Sequence, residues 1–183
     1  EVVFVFDLTK EPVIHSVAPG AVTDPIPEDF EDTAIDILCH GAVGYGEMSA
    51  EHVSRREGHP SHRASPDHPL FLLLADIAAR YDVPIDFHME AVDIDDFDTP
   101  PELLEPPLDE ENPPTLPENI TAFEELLDHN RKARIFWVHA GWDNTGLRTV
   151  DLMRRLLEDH PNLYMNLKFS GSSLPGNPNR VLN

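Results

Sequence analysis

The sequence predicts an α/β chain built from parallel strand–helix–strand units. Three observations predict it. Short β-branched and aromatic runs alternate with longer segments of helical apolar spacing. The runs "VVFVF" and "IFWV" are nearly continuous apolar stretches, as in strands covered on both faces. Gly, Pro, Asn and Asp punctuate the alternation at regular intervals. At 183 residues the chain is read as one domain over residues 1–183 with a sizeable core.

The elements follow in order. Residues 2–6, "VVFVF", form the first strand, and a loop with Pro12, Pro19, Pro25 and Pro27 follows. Residues 28–40 form a helix with Phe30, Ala34, Ile35, Ile37 and Leu38 near helical spacing, and Gly41 stops it. Cys39, in its last turn, is expected to be a buried thiol. Residues 42–48, "AVGYGEM", form a second strand loosened by two glycines. A polar loop with His52, His59, His62 and His68 comes next. It is read as a solvated loop, with a lid over the site as its functional alternative. Ser65 as N-cap and Pro66 at the first helical position are expected to open the next helix, which carries the apolar run 70–74.

The second half repeats the pattern. "VPIDFH", residues 83–88, is a strand. Residues 91–117 are rich in proline and acid and are expected to be irregular. Asn119 is expected to cap the helix "ITAFEELLDHN". "ARIFWVH" is a strand, "GLRTVDLMRRLLEDH" an amphipathic helix and "NLYMNLKF" a last strand before a loop tail. The residues alone leave two architectures open, an open doubly wound sheet or part of a (β/α)8 barrel. No G-x-G-x-x-G follows the first strand, which weakens the dinucleotide-binding version.

Composition narrows the function. Asp and Glu total 34 against 13 Lys and Arg, a formal net charge of −21. Such a surface repels nucleic acid and anionic membranes. It is read as a solvated acidic surface, with adaptation to high salt as the second reading. The one cysteine excludes an internal disulfide framework and a C-x-x-C metal site. No apolar run is long enough to span a membrane and no signal peptide is visible, so a cytoplasmic location is expected. No G-x-S-x-G supports a Ser-His-Asp triad.

In either architecture chemistry sits at the carboxyl ends of the strands. The five ends carry Asp7, Glu47, His88 with Glu90, His139 with Trp142 and Asp143, and Asn166 with Lys168. Strands lying side by side bring these groups to one rim. Histidine and carboxylate are suitable ligands for a divalent metal such as zinc. The plainer readings are structural histidines, a surface Glu47, Asp143 with Asn144 capping the following helix, and Trp142 packing on the rim.

The segments "GYGEMSAEH", "DHPLFLLLADIAARYDVPIDFHMEA", "NRKARIFWVHAGWDNTG" and "LLEDHPNLYMNLK" resemble the amidohydrolase superfamily, and within it the amidohydrolase 2 group. The resemblance runs from about Pro27 onward. It implies a (β/α)8 TIM barrel with a divalent metal, usually zinc, and hydrolysis of amides, esters or lactones by metal-activated water. It implies His88 as a metal ligand. His139 would be a ligand or a catalytic residue beside the metal, and Glu47 a catalytic residue that orients substrate or binds metal. Trp142 and Asp143 would bind substrate. The partner is then a small-molecule substrate, with a homodimer as the assembly considered. The strand-1 His-x-His pair of that group does not occur in these residues, and its strand-8 aspartate would fall after Asn183. The chain is therefore expected to supply about strands 3 to 7. Two rivals remain: non-oxidative decarboxylation, with Lys168 or Arg148 as the cationic partner, and a catalytically inactive fragment or binding domain.

Overall fold

The computed structural model describes residues 5–6, 13–55, 61–106 and 112–167. Strand β1 (Val5–Phe6) precedes the short helix α1 (Val13–Ser16) and helix α2 (Ile26–Cys39). Then come β2 (Gly44–Ser49), α3 (Pro69–Tyr81), β3 (Pro84–His88) and the two-residue strands β4 (Phe97–Asp98) and β5 (Thr115–Leu116). Helix α4 (Ile120–His129), β6 (Arg134–Ala140), α5 (Val150–Asp159) and β7 (Leu163–Leu167) complete the order. No helix among the described residues is long and apolar enough to cross a membrane.

The main sheet has the order β1-β2-β3-β6-β7, and all its pairings are parallel. Strand order follows chain order without a reversal, so the described sheet has no doubly wound switch point. Tyr45, Met48, Ile85, Phe87, Ile135, Trp137 and Leu163 join residues of α2 to α5 in one core. Its spine is aromatic: Phe71 meets Phe87 edge-on at 5.0 Å, Phe87 stacks on Phe123 at 5.7 Å, and Phe123 tilts against Trp137 at 5.2 Å. The Tyr45 hydroxyl donates to the Ala34 carbonyl at 2.9 Å, tying β2 to α2.

The alternate residues behave differently. Asp86, His88, Phe136 and His139 are half-buried, while Glu47 and Tyr164 are exposed. The expectation of two covered faces therefore holds for one face only among the described residues. The period-2 alternation of a strand sorts its side chains into an apolar set under the helices and a set holding the polar groups.

Several expected boundaries shift for local reasons. Helix α3 starts at Pro69, not near Ser65. A residue before proline is pushed to extended backbone, and His68 (φ −53°, ψ 134°) obeys this and becomes the N-cap, its Nδ1 accepting from Leu70 N at 3.2 Å. Its Nε2 donates to the Val17 carbonyl at 2.9 Å. Asn119 occupies the N-cap position of α4 without a side-chain cap bond. Its amide instead bonds Val92 N at 3.0 Å and the Glu90 carbonyl at 3.1 Å, fixing the chain just beyond β3. Cys39 is exposed rather than buried, because it lies off the α2 stripe made by Phe30 and Ala34.

Residues 91–117 are less irregular than expected. The antiparallel pair β4–β5 and a small second core of Val53, Val92, Leu103 and Leu116 organise the described part. Buried Asn112 accepts from Ser54 N at 2.7 Å and donates to the carbonyls of Ser54 and Leu103 at 2.9 Å each. At α5 the Thr149 hydroxyl accepts from Leu152 N at 3.2 Å. Thr149→Ala is expected to cost about 1 kcal/mol of stability, the ordinary value of an N-cap, readable as a shift in the denaturation midpoint.

Candidate metal centre

Three strand ends meet on one rim. Ser49 of β2 is level with His88 of β3, and Phe87 is level with Trp137 of β6. The register of β2 against β3 shifts between Tyr45 and Met48, and that of β6 against β7 shifts between Trp137 and Ala140. Register irregularities of this kind re-aim side chains. One frames Glu47 and the other frames His139, so both expected residues sit where their strand departs from regular pairing.

The result is a compact donor set. One ligand atom each from Glu47, His88 and His139 lie within 4.8 Å of one another. Glu47 Oε1 is in direct contact with His88 Nδ1, and Glu47 Oε2 is 3.6 Å from His139 Nε2. The His88 and His139 rings meet edge-on at 4.9 Å. Side-chain exposures of 42%, 17% and 23% for Glu47, His88 and His139 leave the cluster open to small molecules. Two imidazoles and a carboxylate with an open fourth position form one of the donor sets of catalytic zinc. The chemistry of the residues therefore fits such an ion.

His139 is held in a left-handed backbone conformation, φ 63°. A non-glycine residue there costs about 1–2 kcal/mol. Neighbours fix it: the Asn166 side chain accepts from His139 N at 2.8 Å, and Trp142 N donates to the His139 carbonyl at 2.9 Å. The backbone is strained where it presents the imidazole. His139→Gly is expected to keep or raise the melting temperature of the metal-free chain, by about 1 kcal/mol of stability, while weakening metal binding. A thermal melt showing a clear loss of stability would contradict this.

Beside the first set lies a second, made of His52, His88 and Glu90. His52 was expected in a solvated loop, yet it is 6% exposed. A reciprocal backbone bridge between His52 and His62, at 3.1 and 2.9 Å, folds that loop back on itself. His52 Nδ1 donates to Glu90 Oε1 at 3.1 Å, and the His52 ring lies 4.2 Å from that of His88. Asn144 Nδ2 also donates to Glu90 Oε1, at 2.7 Å. Glu90 is buried, which alone would raise its pKa, but the bonds from His52 and Asn144 and the nearby imidazole of His88 hold it below the usual carboxylate range. The loop signal available in the sequence was the density of histidines, not which of them would be buried.

The other expected residues frame the site. Trp142 donates from Nε1 to Asn144 Oδ1 at 2.8 Å, and the Arg55 guanidinium lies 5.2 Å over its ring. Asp143 was expected to contact substrate. Its carboxylate organises its own loop, accepting from the backbone N–H of Thr145, Gly146 and Arg148 at 3.1, 2.9 and 3.0 Å. Burial pushes its pKa up despite these bonds. Arg148 was named as a cation for a substrate carboxylate. It is buried, stacks 3.8 Å from the Trp137 ring and donates to the Val138 carbonyl at 2.8 Å. Asp7, His59 and Lys168 lie outside the described residues.

Glu51 adds a pH dependence. Burial raises its pKa to about 7, against the opposing pull of Asn119 and Arg63. Between its ordinary value of 4.5 and about 7 the folded chain keeps a proton that the unfolded chain releases. Stability therefore falls as pH rises through that window, and the loss is complete above it. Glu51→Gln is expected to flatten this dependence and to raise stability at pH 8 by about 2 kcal/mol, checked by denaturation at pH 5 and pH 8.

In comparisons with known proteins, no family model, no curated protein and no solved structure matches the chain.

Proposed function

We infer that the chain is a metal-dependent hydrolase acting on an ester, lactone or amide, built as about strands 3 to 7 of a (β/α)8 barrel of the amidohydrolase kind. One observation carries the reading: Glu47, His88 and His139, from three neighbouring parallel strands, converge with their donor atoms inside 4.8 Å. The unreversed strand order and the shared core of α2 to α5 with one sheet face support the barrel part.

Glu47, His88 and His139 would hold the ion, with zinc the best match to the donor set. A divalent cation bound there supplies Lewis acidity and an activated water near neutral pH. The chain's own contribution is placement. Glu47 spans the two histidines through its two oxygens. The strained turn at His139, held by Asn166 and Trp142, fixes the direction of its imidazole. Trp142, under the Arg55 guanidinium and bonded to Asn144, would be the aromatic surface for a substrate. Decarboxylation is the weaker reading, because the buried Arg148 is engaged with backbone carbonyls and does not present a cation to a carboxylate.

The test is a hydrolysis panel of lactones, aryl esters and amides with zinc-loaded protein. Turnover of at least one class is expected, with a loss of about a hundredfold or more in Glu47→Gln and in His139→Ala. No turnover of any class, or turnover that both variants retain, would contradict the reading.

A further inference from the structure

The described arginines divide by partner. Arg80, Arg131, Arg134, Arg154 and Arg155 each hold a carboxylate, that of Glu31, Asp128, Asp82, Asp151 and Glu124 in turn. Arg63 is attracted to Glu51. Arg148 is buried on Trp137 and gives its donors to the carbonyls of β6. Arg55 does none of these. Its guanidinium lies 5.2 Å over the Trp142 ring, and its Nη1 donates to Asn144 Oδ1 at 2.5 Å, so both partners are neutral. No carboxylate pairs with it among the described residues. In a chain with 34 acidic against 13 basic residues, a carboxylate partner is the ordinary outcome for an arginine, so its absence here is informative.

The placement of Arg55 is built. Buried Asn144 accepts from Trp142 Nε1 at 2.8 Å as well as from Arg55, and its Nδ2 donates to Glu90 Oε1 at 2.7 Å. These bonds fix the amide, and the amide fixes the guanidinium. Trp142 N donates to the His139 carbonyl, and Glu90 has an oxygen within 4.8 Å of a His88 nitrogen. Short contacts therefore lead from Arg55 to both histidines of the candidate centre. The side chain is half-buried. A guanidinium carries five N–H donors in a planar fork that matches a carboxylate. Asn144 takes one of them, and no other described acceptor takes a second.

Charge decides which ligand gains from this arrangement. The acidic surface as a whole repels anions, but charges beyond about 8 Å are largely screened at physiological salt. Nearby groups then decide, and Glu47 and Glu90 at the rim oppose an anion unless a cation stands beside it. A neutral ligand gains little from the guanidinium that water does not already supply. A carboxylate gains charge-assisted bonds.

We propose that Arg55 is a specificity-determining residue that selects substrates carrying a carboxylate remote from the carbonyl to be hydrolysed. The proposal rests on the hydrolase reading for the place of that carbonyl and names the substrate class of the same site. The selected group is a spectator anion: it is bound, and no bond to it is made or broken.

The test is calorimetric titration of the protein, with and without added Zn2+, with succinamate, glutaramate and adipamate. Each is an amide ending in a carboxylate, and each is set beside its neutral counterpart, butanamide, pentanamide or hexanamide. Wild type is expected to bind at least one of the acids about tenfold or more tighter than its counterpart. Arg55→Met should remove that difference and leave the neutral amide bound as in wild type, and Arg55→Lys should keep part of it. Melting curves beside each titration separate loss of selection from loss of fold, and Arg55→Gln, which keeps a donor for Asn144, serves if the methionine variant melts early. No preference for any acid in wild type, absence of binding included, would overturn the proposal. So would a preference that Arg55→Met retains, since the carboxylate would then sit on the ion or elsewhere. A preference that depends on Arg55 in protein that retains no Zn2+ would count against the metal centre and leave the selection by Arg55 standing.

Discussion

His88→Ala is expected to abolish retention of divalent metal, a larger effect than any other single substitution at the rim. His88 belongs to both donor sets, so its loss leaves Glu47 with His139 on one side and His52 with Glu90 on the other. Two protein ligands do not make a closed or catalytic zinc site, which needs at least three. The substitution also removes the ring that packs between those of His52 and His139, at 4.2 and 4.9 Å. His88 is half-buried at a strand end, so the fold should survive. Elemental analysis after dialysis against metal-free buffer is the check. Metal content equal to wild type in the variant would remove His88 from the ligand set.

Arg148→Met is expected to destabilise the chain by about 3 kcal/mol or more. The guanidinium is 3% exposed and lies flat on Trp137 at 3.8 Å. It donates to the carbonyls of Val138 at 2.8 Å and, more weakly, of Trp137 and His139 at 3.4 Å each. These carbonyls belong to the stretch where β6 leaves regular register, so they lack the full ladder that a regular strand would give them. Methionine fills the volume over Trp137 but donates nothing, so the Val138 carbonyl loses its guanidinium donor. Burial lowers the Arg148 pKa to about 10, with Glu90 and Asp143 opposing the shift. The group stays charged at neutral pH, and removing it also takes a compensating charge from Glu90. Chemical denaturation is the check, and a change within about 0.5 kcal/mol would show that β6 does not depend on it.

Much of the strand–helix order is legible in the sequence because dense apolar runs and their breakers are local signals. β3 and β6 read clearly for that reason, and His88 and His139 stand out as the first polar residues after them. Glu47 is legible from its place in "YGEMS", where a carboxylate among buried neighbours needs a purpose. The rest depends on contacts distant in sequence. His52 is buried where its loop bridges to His62 and where Glu90, 38 residues away, accepts a hydrogen bond from its ring. Asn119 looks like a helix cap and serves the loop after β3 instead. Asp143 stands out as a polar residue after β6, but that its oxygens also tie the Asp-Asn-Thr-Gly turn is visible only in the structure. Arg148 reads as a free cation until Trp137 and the β6 carbonyls are seen around it. Residue type announces what a side chain can do. The packing decides which partner takes it.

The central claim is that Glu47, His88 and His139 share one cation. The most direct measurement is anomalous diffraction at the zinc edge from crystals of the chain grown with Zn2+. The expected map has a peak about 2.0–2.2 Å from a Glu47 oxygen and from one nitrogen of each of His88 and His139. A map without a peak bounded by those three side chains would contradict the claim.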